Sequence, residues 1–438
     1  SYKVLIDASY PDTWGDNTMY TASAARRPTG AYVAPGATAK ITVPASIVGK
    51  GYNVRVGAHS WNFSNKPTIK RMDRVSRVYP IDSTVIEVAN PLGGGIYIEV
   101  PHQEIVGVVE IGIRNAIRSP YCSAKPFHTT TLAEWQNVER HHPAPWADFQ
   151  SEKFMMNVPT SWIYAFDDPV TLMADHDKAM VAMDNLMGYP EGQGKVSMYP
   201  QVDLSLRASV FAPGYPSVNM SYNPDTDYGG NLSYFLLTAP ENASDWYYHE
   251  EGHAYGFPKF GGETESAVNL LHVAVANDGF GVDMDTALAG SRGFQNNPNR
   301  TLDGTAIAWM TSFNFSPRNV PMASGEKSYQ LKGHAKFVDI ARLFGWDAVG
   351  DFWYSYNDEH ENGITSDTSN DGMMLRLAES AGVDLRPLLH FWGTHPQNPS
   401  TLAADIAAAG LPESAAIYDA LVHYKSIVPA NNAAFQAW

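Results

Sequence analysis

Short apolar segments at 39–43, 52–56, 84–88 and 96–100 are separated by turn clusters at Pro35-Gly36, Gly49-Lys50-Gly51 and 91–95. Segments of this length, punctuated by Gly and Pro, predict short β-strands, and their regular spacing predicts a sandwich over residues 1–118. The pattern then changes. Apolar positions recur at helical spacing over 132–140 and 169–187, and strand-like runs return at 195–199 and 232–238. The last run leads through Ala239-Pro240 and a cap signal at Ser244/Asp245 into another helix. Beyond residue 290 the pattern is mainly helical, with tryptophans at Gly345-Trp346 and Trp392-Gly393. The expected fold class is α+β and multidomain. It comprises a sandwich (1–118), a mixed region (119–290) and a helical part (291–438), with no internal repeat.

Composition narrows the function classes. A 438-residue chain with 44% hydrophobic residues has enough apolar side chains for a sizeable core. Its net charge of -16 opposes nucleic-acid binding, which needs a basic footprint for the phosphates. Cys122 stands alone, so neither an intrachain disulfide nor a cysteine-rich metal site can form. No apolar run approaches the roughly 20 residues that span a bilayer. The chain starts at Ser1, is poor in lysine and is rich in Asn, Thr, Ser, Gly and Tyr. These features predict an exported protein (secreted, periplasmic or at the cell surface) whose signal peptide has been removed. Nothing in the sequence specifies an oligomeric state.

The densest chemistry is His249-Glu250-Glu251-Gly252-His253, an HExxH motif. Residues four apart share one helix face, so both imidazoles can reach one metal ion. Glu250 is then free to act on a metal-bound water. Chance produces such a motif in roughly 2% of chains of this composition, so its helical context is what gives it weight. Catalytic zinc takes three protein ligands and keeps one position open. After the Gly261-Gly262 break a second helix is expected over 263–277, with two carboxylates in competition. Glu263 lies at the helix start, where a carboxylate favours the dipole without any metal. Glu265 aligns with Asn269 and His272, and a polar group four residues after a ligand glutamate can orient that glutamate. Glu265 is therefore preferred, with Glu263 or a remote histidine as alternatives. In this scheme one Zn²⁺ is held by His249, His253 and Glu265, and Glu250 is the general base. A Tyr, His or Arg must supply a further oxyanion donor, and 23 tyrosines leave that choice open.

Further segments occur in a telling order: Pro28-Thr29-Gly30-Ala31-Tyr32, Arg55-Val56-Gly57-Ala58-His59 and Asn90-Pro91-Leu92-Gly93-Gly94-Gly95, then Pro145-Trp146-Ala147-Asp148, Val158-Pro159-Thr160 and Gly214-Tyr215-Pro216. Together they resemble the enhancin-like, mucin-degrading metallopeptidases, the M-sixty family of the gluzincins. Phe344-Gly345-Trp346-Asp347 and the stretch from Asp384-Leu385 to Trp392-Gly393 continue the likeness. Glu265 followed four residues later by Asn269 is similar to the family's ligand glutamate and its asparagine. The resemblance implies a zinc endopeptidase acting on O-glycosylated proteins such as mucins, beside a glycosylated Ser or Thr. It also implies a catalytic domain over 119–290 and a helical subdomain over 291–438 that completes its cleft. Ala254-Tyr255-Gly256 and a short spacer to Glu265 depart from the commoner form. Tyr215 and Trp246 are candidates for stacking on sugar. Asp367–Gly372 resembles a calcium loop but lacks the closing glutamate, so it reads as a solvated turn. His141-His142 reads as a loop pair.

Overall fold

The computed structural model describes every residue except 12–13, 16–22, 63–74, 191–197, 204–212, 222–236, 243–244 and 294–298, and leaves out the side chains of 218–221 and Trp246. The chain divides into two units, each described on its own: residues 1–13, 17–180 and 195–243, and residues 14–16, 181–194 and 244–438.

In the first unit, the expected strands form and pair into two sheets. One has the order β1-β8-β3-β6, with β1 (Tyr2–Ser9), β3 (Thr38–Thr42), β6 (Val85–Ala89) and β8 (Ile105–Arg114). The other has the order β5-β4-β7-β2-β9, with β2 (Ala25–Val33), β4 (Asn53–Val56), β5 (Arg77–Pro80), β7 (Gly94–Val100) and β9 (Ile117–Arg118). The pairing along β1–β8, β3–β6 and β2–β7 is antiparallel. In β3 and β6 buried and exposed side chains alternate, as expected of a sheet with one wet face. Val4, Ile6, Ile41, Val88, Ile111 and Ile113 from one sheet meet Val33, Val54, Val56, Ile96, Ile98 and Val100 from the other in a single core. This is the N-terminal sandwich.

Strand β7 does not alternate; all seven of its residues are buried. Its second face is covered by a six-stranded sheet of order β11-β10-β12-β13-β14-β15. These strands are β10 (Tyr121–Lys125), β11 (His128–Thr129), β12 (Trp146–Gln150), β13 (Met155–Pro159), β14 (Pro200–Asp203) and β15 (Ser217–Ser221). The Tyr97 hydroxyl, on that second face, donates to Asp148 Oδ1 at 2.8 Å, and Asn157 Nδ2 donates to the same atom at 2.9 Å. The helix expected over 169–187 is Pro169–Leu186. The run at 195–199 lies partly outside the described residues, and the strand there is Pro200–Asp203. Of the run at 232–238, residues 232–236 lie outside them.

The second unit is helical. Trp309, Trp353 and Trp392 are buried in it. Asp339, fully buried, ties three helices together. Its Oδ2 accepts Trp392 Nε1 at 2.9 Å and the Tyr424 hydroxyl at 2.8 Å, while Oδ1 accepts Arg342 Nη2 at 2.6 Å. This knot fixes Leu331–Phe344 against Arg386–Phe391 and Ala415–Ile427. The expected helix over 263–277 is instead broken into Thr264–Ala267, Leu270–Ala274 and a π-turn, Val275–Gly279. The break has a local cause. The Asn269 side-chain amide donates to the Glu265 carbonyl at 3.1 Å, while the Asn269 backbone N–H goes to Ser266. Among the described residues, no helix is long and apolar enough to cross a membrane.

Candidate metal centre

His249 and His253 project from one face of the helix Asp245–Ala254. The glycine between them has a steric reason. A Cβ on Gly252 would lie 2.6 Å from both the Val268 carbonyl oxygen and Val268 Cβ, so only glycine lets this helix approach the turn that follows Thr264–Ala267. That approach brings Glu265 to the imidazoles. Glu265 Oε2 lies 3.2 Å from His249 Nε2 and 3.3 Å from His253 Nε2, and the two nitrogens are 3.3 Å apart.

Three acceptor atoms this close cannot all be satisfied by each other. Glu265 Oε2 is shielded from solvent and takes no conventional hydrogen bond among the described residues. Ligand atoms about 2.0–2.1 Å from one tetrahedral ion lie about 3.3–3.4 Å apart, which matches all three separations. The donor set, two neutral imidazoles and a carboxylate, also suits zinc. Among the described residues these three form the one group of His, Cys, Asp or Glu side chains able to hold a metal ion.

The electrostatics agree. Burial holds both histidines below the ordinary imidazole range, which keeps their lone pairs available at neutral pH. His249 Nδ1 lies 2.9 Å from Asn269 Oδ1, so Nδ1 carries the proton and Nε2 turns to the centre. Burial pushes Glu250 up to about 7; the Glu265 carboxylate adds to this and the Arg292 guanidinium opposes it.

Glu263, the competing carboxylate, points elsewhere. Its side chain is fully buried, Oε2 is ion-paired with Lys336, and Oε1 accepts the Phe260 N–H at 2.9 Å. Asn269, expected to orient the Glu265 side chain, instead lies behind His249 and reaches Glu265 only at its backbone carbonyl. Tyr215 lies in the first unit, where its hydroxyl accepts the Arg26 N–H at 2.8 Å; the Trp246 side chain lies outside the described residues. In the calcium-like loop, Asp371 accepts the N–H groups of Gln397 and Asn398, both at 2.7 Å, so it serves as a loop brace. His142 lies 3.6 Å from Glu139 Oε1, and His141 bonds the Gln136 carbonyl.

Two residues at the centre escaped sequence reasoning. The Tyr329 ring stacks on His249 at 5.5 Å, and its backbone adopts a left-handed φ of 54°. Its hydroxyl is coupled to Glu265 by a hydrogen bond. The Arg292 guanidinium sits 5.4 Å from the centroid of the Tyr329 ring, and its charge is felt by Glu250. No spacing rule links residues 292 and 329 to the motif. A tyrosine in a Ser-Tyr-Gln loop carries no signal of its own.

A family model described as the N-terminal domain of M60-like peptidases matches residues 8–114. A second, described as peptidase M60, enhancin and enhancin-like, matches residues 115–393. The chain belongs to the peptidase M60 family. A TRPM8 channel-associated factor homolog of Danio rerio is 26% identical over 387 residues, covering 85% of this chain but only 38% of that protein. The M60 chain thus spans well under half the length of that curated relative. A functionally unknown conserved protein from Bacillus anthracis str. Ames has the same fold, with a TM-score of 0.70, 17% identity, and coverage of 95% of this chain and 81% of that one. So does the M60 catalytic domain of Clostridium perfringens ZmpC in complex with the sialyl T antigen, with a TM-score of 0.64, 12% identity, and coverage of 95% and 81%. The matching family model is described as a peptidase, and a metal ion is what that family's peptidases imply.

Proposed function

We propose that this M60 protein is a zinc-dependent endopeptidase that cleaves O-glycosylated, mucin-type proteins beside a glycosylated Ser or Thr. One observation carries the reading: ligand atoms of His249, His253 and Glu265 converge within 4.8 Å of one another beside an uncommitted glutamate, Glu250. One bound Zn²⁺ would polarise the scissile carbonyl and acidify the attacking water. Glu250 takes the proton from that water as general base and returns it to the leaving amine as general acid. Asn269 holds His249 in the tautomer that presents Nε2. Tyr329 and Arg292 are assigned as the O–H and N–H donors that stabilise the tetrahedral oxyanion. Tyr329 stacks on His249, the Arg292 guanidinium lies 5.4 Å from the Tyr329 ring, and both are within electrostatic reach of Glu250.

The glycan part rests on the likeness to the M60 domain solved with the sialyl T antigen. Such substrates lie outside the cytoplasm, which agrees with the expected export. The test is mass spectrometry of the products from one defined O-glycopeptide, before and after enzymatic removal of its glycan. Cleavage beside the glycosylated residue that stops when the sugar is removed supports the reading. Equal cleavage of both forms makes the protein a general zinc metallopeptidase. No cleavage of either, with zinc bound, makes it a binding protein with a vestigial site.

A further inference from the structure

The segment carrying Glu265 is gripped along its length by residues 324–336. Lys327 Nζ donates to the Gly261 carbonyl at 2.9 Å. Gly262, at φ 78°, has no room for a Cβ because Ser324 lies against it. Glu263 is ion-paired with Lys336, both side chains buried. The Tyr329 N–H reaches the Glu265 carbonyl at 3.4 Å. Ser266 packs against Gly333, where a Cβ would come within 2.6 Å of its Cβ. Five of the six residues from 261 to 266, all but Thr264, take part in these contacts.

Glu263 is the hinge of this arrangement. Its carbonyl accepts the N–H groups of Ser266 at 2.9 Å and Ala267 at 2.8 Å, so it starts the turn that presents Glu265. The Gly261-Gly262 break ends helical continuity with the motif helix, which meets the turn through Gly252 and Asn269. A second support comes from Leu331–Phe344, itself held by Asp339.

We propose that the buried Lys336–Glu263 pair is a positioning device for the metal site: it sets where Glu265 stands relative to His249 and His253, and so sets zinc affinity from the C-terminal helical half. The proposal rests on the zinc reading above. A buried ion pair contributes little net stability against an uncharged replacement, whereas a broken one strands a charge. That asymmetry gives the pair a role in specifying geometry.

The experiment measures zinc affinity of the full chain by competition with a chromophoric chelator, together with the visible absorption of the cobalt-substituted protein. Lys336→Met alone strands the Glu263 carboxylate, so the decisive variant is Glu263→Gln/Lys336→Met, which leaves no unpaired charge. Gly333→Ala is the independent variant. Alanine favours the helix itself, while its Cβ pushes on Ser266 and on the Lys327 carbonyl oxygen, both in the contact that grips the Glu265 segment. Both are expected to fold by circular dichroism and to bind zinc about tenfold to 100-fold more weakly, with altered cobalt spectra. Affinity within fivefold of the parent in either folded variant overturns the proposal. Glu265→Ala is the control. If the parent binds no zinc, or Glu265→Ala binds it as well as the parent, the zinc reading itself has failed. If Glu265→Ala weakens binding while the positioning variants do not, only the inference has failed.

Discussion

Asn269 Oδ1 accepts the Nδ1–H of His249 at 2.9 Å while its Nδ2 donates to the Glu265 carbonyl at 3.1 Å. One amide thus orients one imidazole and braces the backbone of the carboxylate opposite it. Asn269→Ala removes both bonds, and zinc affinity is expected to fall by about 10–100-fold. Asn269→Asp keeps an acceptor for His249 but loses the donor to Glu265, so its affinity should lie between the two. Chelator competition measures both. Parent-like affinity in the alanine variant would show that Asn269 has no part in holding His249.

Glu250 follows His249 in the chain but belongs to none of the three close pairs at the centre. Glu250→Gln should keep zinc at parental affinity and lower the cleavage rate by about 10²–10⁴-fold, the usual share of a general acid–base group. Removing the metal with a chelator should abolish cleavage in the parent, and added zinc should restore it. Retained cleavage in the glutamine variant would transfer the base role elsewhere. Product formation from a labelled O-glycopeptide reads all three conditions.

How far the site was legible depended on how local each relationship is. His249, Glu250 and His253 are related by helix geometry alone, so their spacing was enough. Alignment with Asn269 separates Glu265 from Glu263 on a continuous helix, although the chain breaks that helix at residues 268–269. Local propensity gave no hint of the break, because it follows from a side-chain amide competing for a backbone carbonyl. Tyr329, Arg292 and Lys336 arrive from 27 or more residues beyond Glu265 (292 − 265 = 27), through packing that no periodicity encodes. In the sandwich, β3 and β6 were readable as alternating strands. Strand β7 is buried on both faces because the six-stranded sheet covers its second face, which the N-terminal pattern alone could not show.

The Gly252 contact sets two effects against each other. Alanine in a helix interior is favoured over glycine by about 1 kcal/mol. Here the new Cβ would stand 2.6 Å from the Val268 carbonyl oxygen, which is backbone and cannot rotate away. Overpacking of this kind costs about 1–3 kcal/mol. Gly252→Ala is therefore expected to lower the thermal midpoint of the zinc-free protein and to weaken zinc binding by moving Glu265 off the imidazoles. A raised midpoint with unchanged affinity would mean that propensity wins and the close approach is dispensable.

Asp148 belongs to the first unit, where it is buried. Burial pushes it up to about 6, against hydrogen bonds from Asn157 and Tyr97 that favour the carboxylate. A carboxyl raised in the folded state binds more protons there than in the unfolded chain between about pH 4 and pH 6. Its contribution to stability is therefore fully present below about pH 4 and is lost as pH rises through about 6. Holding the proton across that interval is worth about 3 kcal/mol. Asp148→Asn keeps an oxygen where Oδ1 accepts from Tyr97 and Asn157, and sets an NH₂ beside a hydroxyl that can also accept. The variant should therefore gain stability relative to the parent as pH rises from 4 to 7. Urea midpoints for parent and variant at pH 4.5 and pH 7.5 isolate the difference, because the other carboxylates cancel. A variant that loses as much stability as the parent over this range would show that Asp148 is ionised throughout.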